Sequence, residues 1–227
     1  MRQIVLDTET TGLDPATGDR IVEIGGVELF NHLPTGQTYH QYLNPERAMP
    51  TEAFDVHGLG DNFLRDKPKF AAIAPAFLAF IAGSQLVIHN ASFDLKFLNA
   101  ELTLAGHPQL PPSRAIDTVA MARKKYPGSP ASLDALCRRF GIDTSARTKH
   151  GALLDSEILA EVYLELIGGR QPDFGLSTAR QSADQTSGDW RPGPRPTPLP
   201  PRLTQAELAA HDAFVAALGE AAIWRKT

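Results

Sequence analysis

Five side chains in this sequence have the chemistry of a cation site with a proton acceptor beside it. Asp7 and Glu9 stand two apart in "VLDTETTGLD", where the apolar run Ile4-Val5-Leu6 stops. Residues i and i+2 of a strand point to the same face. Two carboxylates held that close repel unless something positive lies between them. Asp94 follows in "IHNASFD", where a short strand gives way to a helix, and Asp155 lies early in the amphipathic stretch "HGALLDSEILAEVYLELIGG". His150 precedes Asp155 by five positions. That is about 500° of helix, so two helical side chains would point about 140° apart. His150 therefore belongs on the loop or first turn, folded back over the site. A magnesium-type ion takes oxygen ligands in an octahedral shell and keeps several waters. Four carboxylates from three distant segments can hold two such ions. A neutral histidine beside them can take a proton near neutral pH.

Each feature alone has an ordinary reading. The Asp7-Glu9 pair can be a strand-end turn continued by Asp14-Pro15. Asp94 can be a first-turn acid that suits the helix dipole. Asp155 and Glu157 can be a solvated helix face, and His150 an exposed loop residue. Their joint occurrence, in this order and with these neighbours, outweighs those readings.

The elements that must position these groups read as mixed. Residues 2–7, 20–30 and 37–43 are β-rich and separated by Gly, Pro and Asn turn signals, which predicts three strands in an antiparallel meander. Residues 69–82 read as a helix, 85–89 as a strand and 93–105 as a helix, with further helices over 117–126, 132–140 and 151–167. Strands first, then strand–helix alternation, predict an α/β domain with a mixed sheet.

"DTETTGLD", "HNASFDLKFL" and "HGALLDSEILAEVY" resemble the three exonuclease motifs of the DnaQ-like superfamily, in the DEDDh group with four acids and a histidine. The spacings match as Asn90-x-x-Phe93-Asp94 and as His150 followed by Asp155. "EAFDVHGL", "IDTVAMARKKYPG" and "SLDALCRRFGID" are similar to connecting stretches of the proofreading epsilon subunits of bacterial DNA polymerase III. The resemblance covers about residues 1–170. It implies a ribonuclease-H-like fold, a mixed five-stranded sheet flanked by helices. It also implies 3′→5′ hydrolysis of the terminal phosphodiester at a single-stranded or frayed DNA 3′ end, releasing nucleoside monophosphates. Asp7, Glu9, Asp94 and Asp155 would then hold two divalent metal ions, Mg2+ or Mn2+, with Asp7 bridging, and His150 would be the general base. The loop Thr10 to Leu13 would lie against the terminal nucleotide. Glu52 and His57 match nucleotide-contacting positions. Phe93 is either a base-stacking or a core aromatic. Asp117 reads as a helix N-cap, Cys137 as core, and His32, His40, His107 and His211 as surface residues.

The rest of the chain reads differently. Residues 1–176 carry a net charge of −5 and residues 177–227 a net charge of +1. "STARQSADQTSG" and then "WRPGPRPTPLPP", with six prolines in twelve residues, read as an extended linker over 177–202. Within residues 203–227, "LTQAELAAHDAFVAAL" opens on Thr204 with Glu207 three positions on, a capping box. Leu208, Phe214, Val215 and Leu218, with Trp224 beyond, form an apolar stripe on a helix too short to be stable alone in water. The resemblance makes this tail the docking element for the polymerase alpha subunit. It also makes "QPDFGL", residues 171–176, similar to a sliding-clamp-binding peptide, with Gln171, Phe174 and Leu176 as its contacts.

At 227 residues and 42% hydrophobic composition the chain can bury a real core. One cysteine excludes an internal disulfide framework. No basic-apolar leader and no long apolar run appear, so the expectation is a soluble cytoplasmic protein with no membrane association. A net charge of −4 argues against unaided binding to long nucleic acid. It suits a nuclease that grips a few nucleotides while a tethered partner holds the duplex. Other readings are a free-standing DNA-repair or RNA-trimming exonuclease, and a non-catalytic bridging subunit of the replisome.

Overall fold

The computed structural model describes residues 1–145, 147, 149–168 and 203–219. The chain divides into two compact units, Met1–Thr178 and Ala179–Thr227. In the first, strands β1 (Arg2–Thr10), β2 (Ile21–Phe30) and β3 (Leu33–Tyr42) form the expected antiparallel meander. Helices α1 (Thr51–His57), α2 (Asp61–Leu64) and α3 (Phe70–Ile81) follow, then β4 (Gln85–Ile88), α4 (Ala91–Leu104) and β5 (Ala115–Asp117). Helices α5 (Thr118–Lys125), α6 (Leu133–Phe140) and α7 (Ala152–Leu166) complete the unit. The sheet order is β3-β2-β1-β4-β5, with β4 and β5 parallel to β1.

Period-2 alternation sorts the core. Ile4 and Leu6 of β1 join Ile24, Leu86 and Ile88 against Phe77 of α3 and Phe97 of α4. Val5 faces the other way, with Val27 and Val87, against Leu136 and Cys137 of α6 and Leu159 and Val162 of α7. Asp7 and Glu9 continue the Val5 side of β1 and so point toward the face that α7 covers. The ends of β1, β4 and β5 lie along one edge of the sheet. β1 has an antiparallel neighbour on one side and a parallel one on the other. Open α/β sheets bind ligands outside the carboxyl ends of their strands, which is the edge where β1, β4 and β5 end.

Three differences from the sequence expectation have simple causes. β1 runs on to Thr10, so the two acids lie within the strand and pair with β2, Asp7 opposite Gly25 and Glu9 opposite Glu23. β5 has three residues, too few to show a period. α1 and α2 are short helices with exposed apolar groups, Phe54, Val56 and Phe63, and hence no clean amphipathic pattern.

Asp117 is an N-cap, accepting from the Val119 and Ala120 amides, and Cys137 is buried. His40 is more than a surface residue, because its Nε2 lies 2.7 Å from Oε1 of the buried Glu23. His32 packs edge-on to Tyr163 with ring centroids 5.9 Å apart.

In the second unit α8 (Gln205–Ala217) opens on the capping box. Glu207 Oε2 accepts from the Thr204 amide at 2.7 Å, and Thr204 Oγ1 accepts from the Glu207 amide at 3.3 Å. Leu208, Phe214 and Leu218 are exposed and Val215 is half-buried. Gln171, Phe174, Leu176, Trp224 and the linker lie outside the described residues. Among the described residues no helix is long and apolar enough to cross a membrane.

Candidate active site

Close approach of α7 to the sheet builds the site. A Cβ on Gly25 would lie 2.1–2.2 Å from the backbone of Ala152 and Leu153, so only glycine lets the helix start sit directly on β2. The Ser156 hydroxyl donates to Gly25 O at 3.1 Å and pins that contact. One turn into α7, Asp155 is 3% exposed and faces Asp7 and Glu9. From the opposite side of the sheet, α4 brings Asp94, also 3% exposed, to the same end of β1. Thr8 Oγ1 donates to Asp94 Oδ1 at 2.7 Å. Just before α7, the amide of His150 donates to Val56 O of α1 at 3.3 Å, and its Nδ1 lies 3.3 Å from Asp155 Oδ2. All five residues line one cavity of about 290 Å³.

The electrostatics are those of an acid cluster short of positive charge. Burial, reinforced by Asp94, Glu9 and Asp155, pushes Asp7 well above the usual carboxylate range. Burial, with Asp155 and Glu23 next, raises Glu9 from 4.5 to about 8. Burial raises Asp94 from 3.8 to about 7 against the pull of the Thr8 hydrogen bond.

The one cation reaching the cluster among the described residues is Arg147, which the sequence reading missed. Its Nε lies 2.5 Å from Asp155 Oδ1, an ion pair without hydrogen-bond alignment. A terminal guanidinium nitrogen donates to Asp155 Oδ2 at 2.7 Å and to His150 Nδ1 at 2.8 Å, and the other pairs with Asp134. No local pattern marks such an arginine.

These residues fit divalent cations. Asp155 Oδ1 is buried and accepts no hydrogen bond, and the acids carry pKa values that extra positive charge would lower. Ligand atoms of Glu9, His150 and Asp155 lie within 4.8 Å of one another. Asp7, Glu9, Asp94 and Asp155 supply the hard oxygen set that Mg2+ or Mn2+ takes.

A second cavity of about 570 Å³ adjoins the first, and Thr8, Glu9 and Phe93 line both. The sequence-named Thr10, Leu13, Glu52 and His57 meet there. Leu13 is 80% exposed at the lip. Phe93 packs on Phe97, with ring centroids 5.0 Å apart, while reaching both cavities, so it serves the core and the site together. His57 is 6% exposed, and burial lowers its pKa. Its Nδ1 accepts from the Leu59 amide at 3.0 Å, which puts the proton on Nε2, and the Thr10 backbone beside the ring works against the effect of burial.

Asp19 organises the Thr10–Leu13 loop, accepting from Thr11 Oγ1 at 3.2 Å, the Asp14 amide at 3.1 Å and Arg47 at 2.7 Å. A Cβ on Gly12 would collide with the Asp19 carboxylate at 2.3–2.5 Å. A bidentate ion pair from Arg20 to the buried Glu101, at 2.7 and 2.8 Å, ties the end of this loop to α4.

The RNase_T exonuclease family profile matches residues 4–163. The DNA polymerase III subunit epsilon of Rickettsia felis is 56% identical over 179 residues, covering 78% of each chain. That of Escherichia coli K12 is 44% identical over 237 residues, covering 99% of this chain and 97% of the relative. The structure of Exonuclease X in complex with 5′ overhanging duplex DNA superposes with a TM-score of 0.60 at 25% identity, over 73% of this chain and 91% of that one. The nuclease domain of 3′hExo, a DEDDh family member bound to rAMP, shares the fold with a TM-score of 0.64 at 21% identity, over 74% and 92%. By that profile match and that identity, this chain is a nuclease that belongs to the exonuclease family, among the epsilon subunits of DNA polymerase III.

Proposed function

We propose that this chain is the 3′→5′ proofreading exonuclease of a DNA polymerase III, cleaving the terminal phosphodiester with two divalent ions and His150 as general base. The observation that carries it is the convergence of four carboxylates from three segments at the end of β1, beside a cavity of nucleotide size. Asp7, Glu9 and Asp155 would hold the ions, with Asp94 acting directly or through water. When bound, such ions offset the negative charge of the phosphate and make a nucleophile of water at neutral pH.

The chain's own residues do the rest. His150 has Nδ1 turned to Asp155 and Arg147, but the ring is 48% exposed and so has room to turn toward an attacking water. The loop from Thr10 to Leu13 walls the terminal nucleotide. His57 offers an Nε2–H donor beside the Thr10 backbone. Glu52 accepts a hydrogen bond from the sugar.

The alpha subunit and the sliding clamp belong to the same reading, through α8 and through residues 171–176. The test is excision at a mismatched primer end. The chain should release nucleoside 5′-monophosphates with Mg2+ or Mn2+, stop with EDTA, and remove a mispaired terminus faster than a paired one. Absence of metal-dependent mononucleotide release would leave the bridging-subunit reading. A preference for RNA would favour the trimming enzyme.

A further inference from the structure

Three cavities lie in a row along the edge where β1, β4 and β5 end. The nucleotide cavity and the catalytic cavity share Thr8, Glu9 and Phe93. The catalytic cavity and a third one share His89 and Ser132, whereas the first and third have no residue in common. The third cavity, of about 560 Å³, is lined by Asn90 after β4, Asp117 at the end of β5, Arg123 on α5 and Ser129 in the loop before α6. A strand with its terminal nucleotide in the first cavity and its scissile phosphate in the second must leave on the far side. We infer that the third cavity takes the sugar–phosphate backbone just 5′ of the scissile bond, with Arg123 on a phosphate. The inference rests on the nuclease reading above and adds the place where the rest of the strand runs.

Four features support it. Arg123 is exposed and forms no hydrogen bond or ion pair with any described residue, so the fold does not use its charge. A guanidinium is a planar fork matched to phosphate oxygens. The acid in the cavity is already engaged, since Asp117 Oδ1 accepts from the amides of Asn90 at 3.3 Å, Val119 at 2.8 Å and Ala120 at 3.4 Å. Asn90 sits at φ +67° at the head of α4. Its Oδ1 accepts from Ser92 at 3.3 Å, which leaves its amide N–H groups free to donate. His89 is the one aromatic ring that lines the cavity, and its Nδ1 is bonded to Thr118 Oγ1 at 2.9 Å, so the cavity offers phosphate contacts and no broad stacking platform. Such contacts position a strand without reading its sequence.

A competing exit exists in a fourth cavity, where Arg138 and Lys149 lie beside Arg147 and His150. Lys149 is committed to α1, with Nζ 5.1 Å from the Phe54 ring centroid and 3.5 Å from Phe54 O. α1 is also a wall of the nucleotide cavity. The fourth cavity shares Asp134, Arg147 and His150 with the catalytic one and no residue with the nucleotide cavity, so the comparison of Arg123 with Arg138 decides between the two exits.

The test compares a short oligothymidylate with the p-nitrophenyl ester of thymidine 5′-monophosphate, which has no nucleotide on the 5′ side. In the full chain, Arg123→Gln should lower kcat/KM for the oligonucleotide relative to the ester by about tenfold, through KM. It should also flatten the dependence of log KM on log salt by about 0.7, the share of one single-strand phosphate contact. Arg123→Lys should recover most of the loss. An unchanged oligonucleotide KM, an equal loss on both substrates, or the same loss from Arg138→Gln instead would overturn the assignment. A wild-type chain that cleaved neither substrate would instead remove the nuclease reading, and this inference with it.

Discussion

Asp7 and Asp155 are the same type of residue in different company. Asp7 has three acids around it, whereas Asp155 is paired with Arg147. Either Asp7→Ala or Asp155→Ala should reduce nucleotide release by more than about 100-fold. Their stabilities without metal should diverge. Asp7→Ala relieves repulsion and should raise the thermal midpoint in EDTA. Asp155→Ala strips Arg147 of its main partner and should lower it, because a charge left unpaired is costly. A parallel shift of both variants would deny Arg147 the role of counter-ion.

The raised acids also fix a pH dependence. Glu9 and Asp94 have folded pKa values of about 8 and about 7, above their ordinary 4.5 and 3.8. The folded state therefore binds protons more tightly than the unfolded chain. This contribution to stability is complete at low pH and is lost as pH rises toward about 8. In EDTA the thermal midpoint should fall between about pH 5 and pH 8, and saturating Mn2+ should flatten that fall. His150→Ala should cost about 10²- to 10⁴-fold in turnover and abolish the acidic limb of the rate profile. An acidic limb unchanged in the variant would assign it to another group.

At the scale of elements, the site depends on how closely α7 lies against β2. Gly25→Ala puts a methyl group where backbone already stands, 2.1 Å from Ala152. Backbone cannot turn away as a side chain can, so the helix must shift and carry Asp155 with it. Overpacking of this kind costs about 1–3 kcal/mol. The catalytic loss should be larger, since a displacement of about 1 Å can cost about 10²-fold. Thermal unfolding and single-strand hydrolysis of the same variant check both halves. A stable, fully active Gly25→Ala would mean that the helix start has slack. The Arg20–Glu101 pair and Asp19 play the matching part for the Thr10–Leu13 loop, fixing it to α4 and to its own turn.

For the whole molecule, the two units differ in charge and in what they expose. The first carries every candidate catalytic group and most of the negative charge; the second presents α8 with Leu208, Phe214 and Leu218 exposed. A capped, amphipathic helix with no buried residue is suited to docking on a partner surface. Residues 1–176 alone should keep single-strand exonuclease activity and lose polymerase binding, and residues 177–227 on an inert carrier should bind the polymerase. Co-precipitation decides it. Retention of the polymerase by the truncated chain would move docking to the catalytic unit.

The sequence by itself determined the identity of the acids and histidine, the meander, and the long helices. These are local matters: strand alternation puts Asp7 beside Glu9, and an N-cap such as Asp117 is written within a few residues. The capping box of α8 was legible for the same reason. Tertiary structure decided what depends on two distant segments meeting. Arg147 reaches Asp155 across the loop before α7, and Gly25 matters because Ala152 lies on it. Glu23 raises the pKa of Glu9 only through strand register, and Arg123 lines a cavity next to the catalytic one only because β4 pairs with β1 and β5 with β4. The types of residue that do the chemistry are fixed by the chain, but their charge states, partners and distances are set by the packing that brings them together.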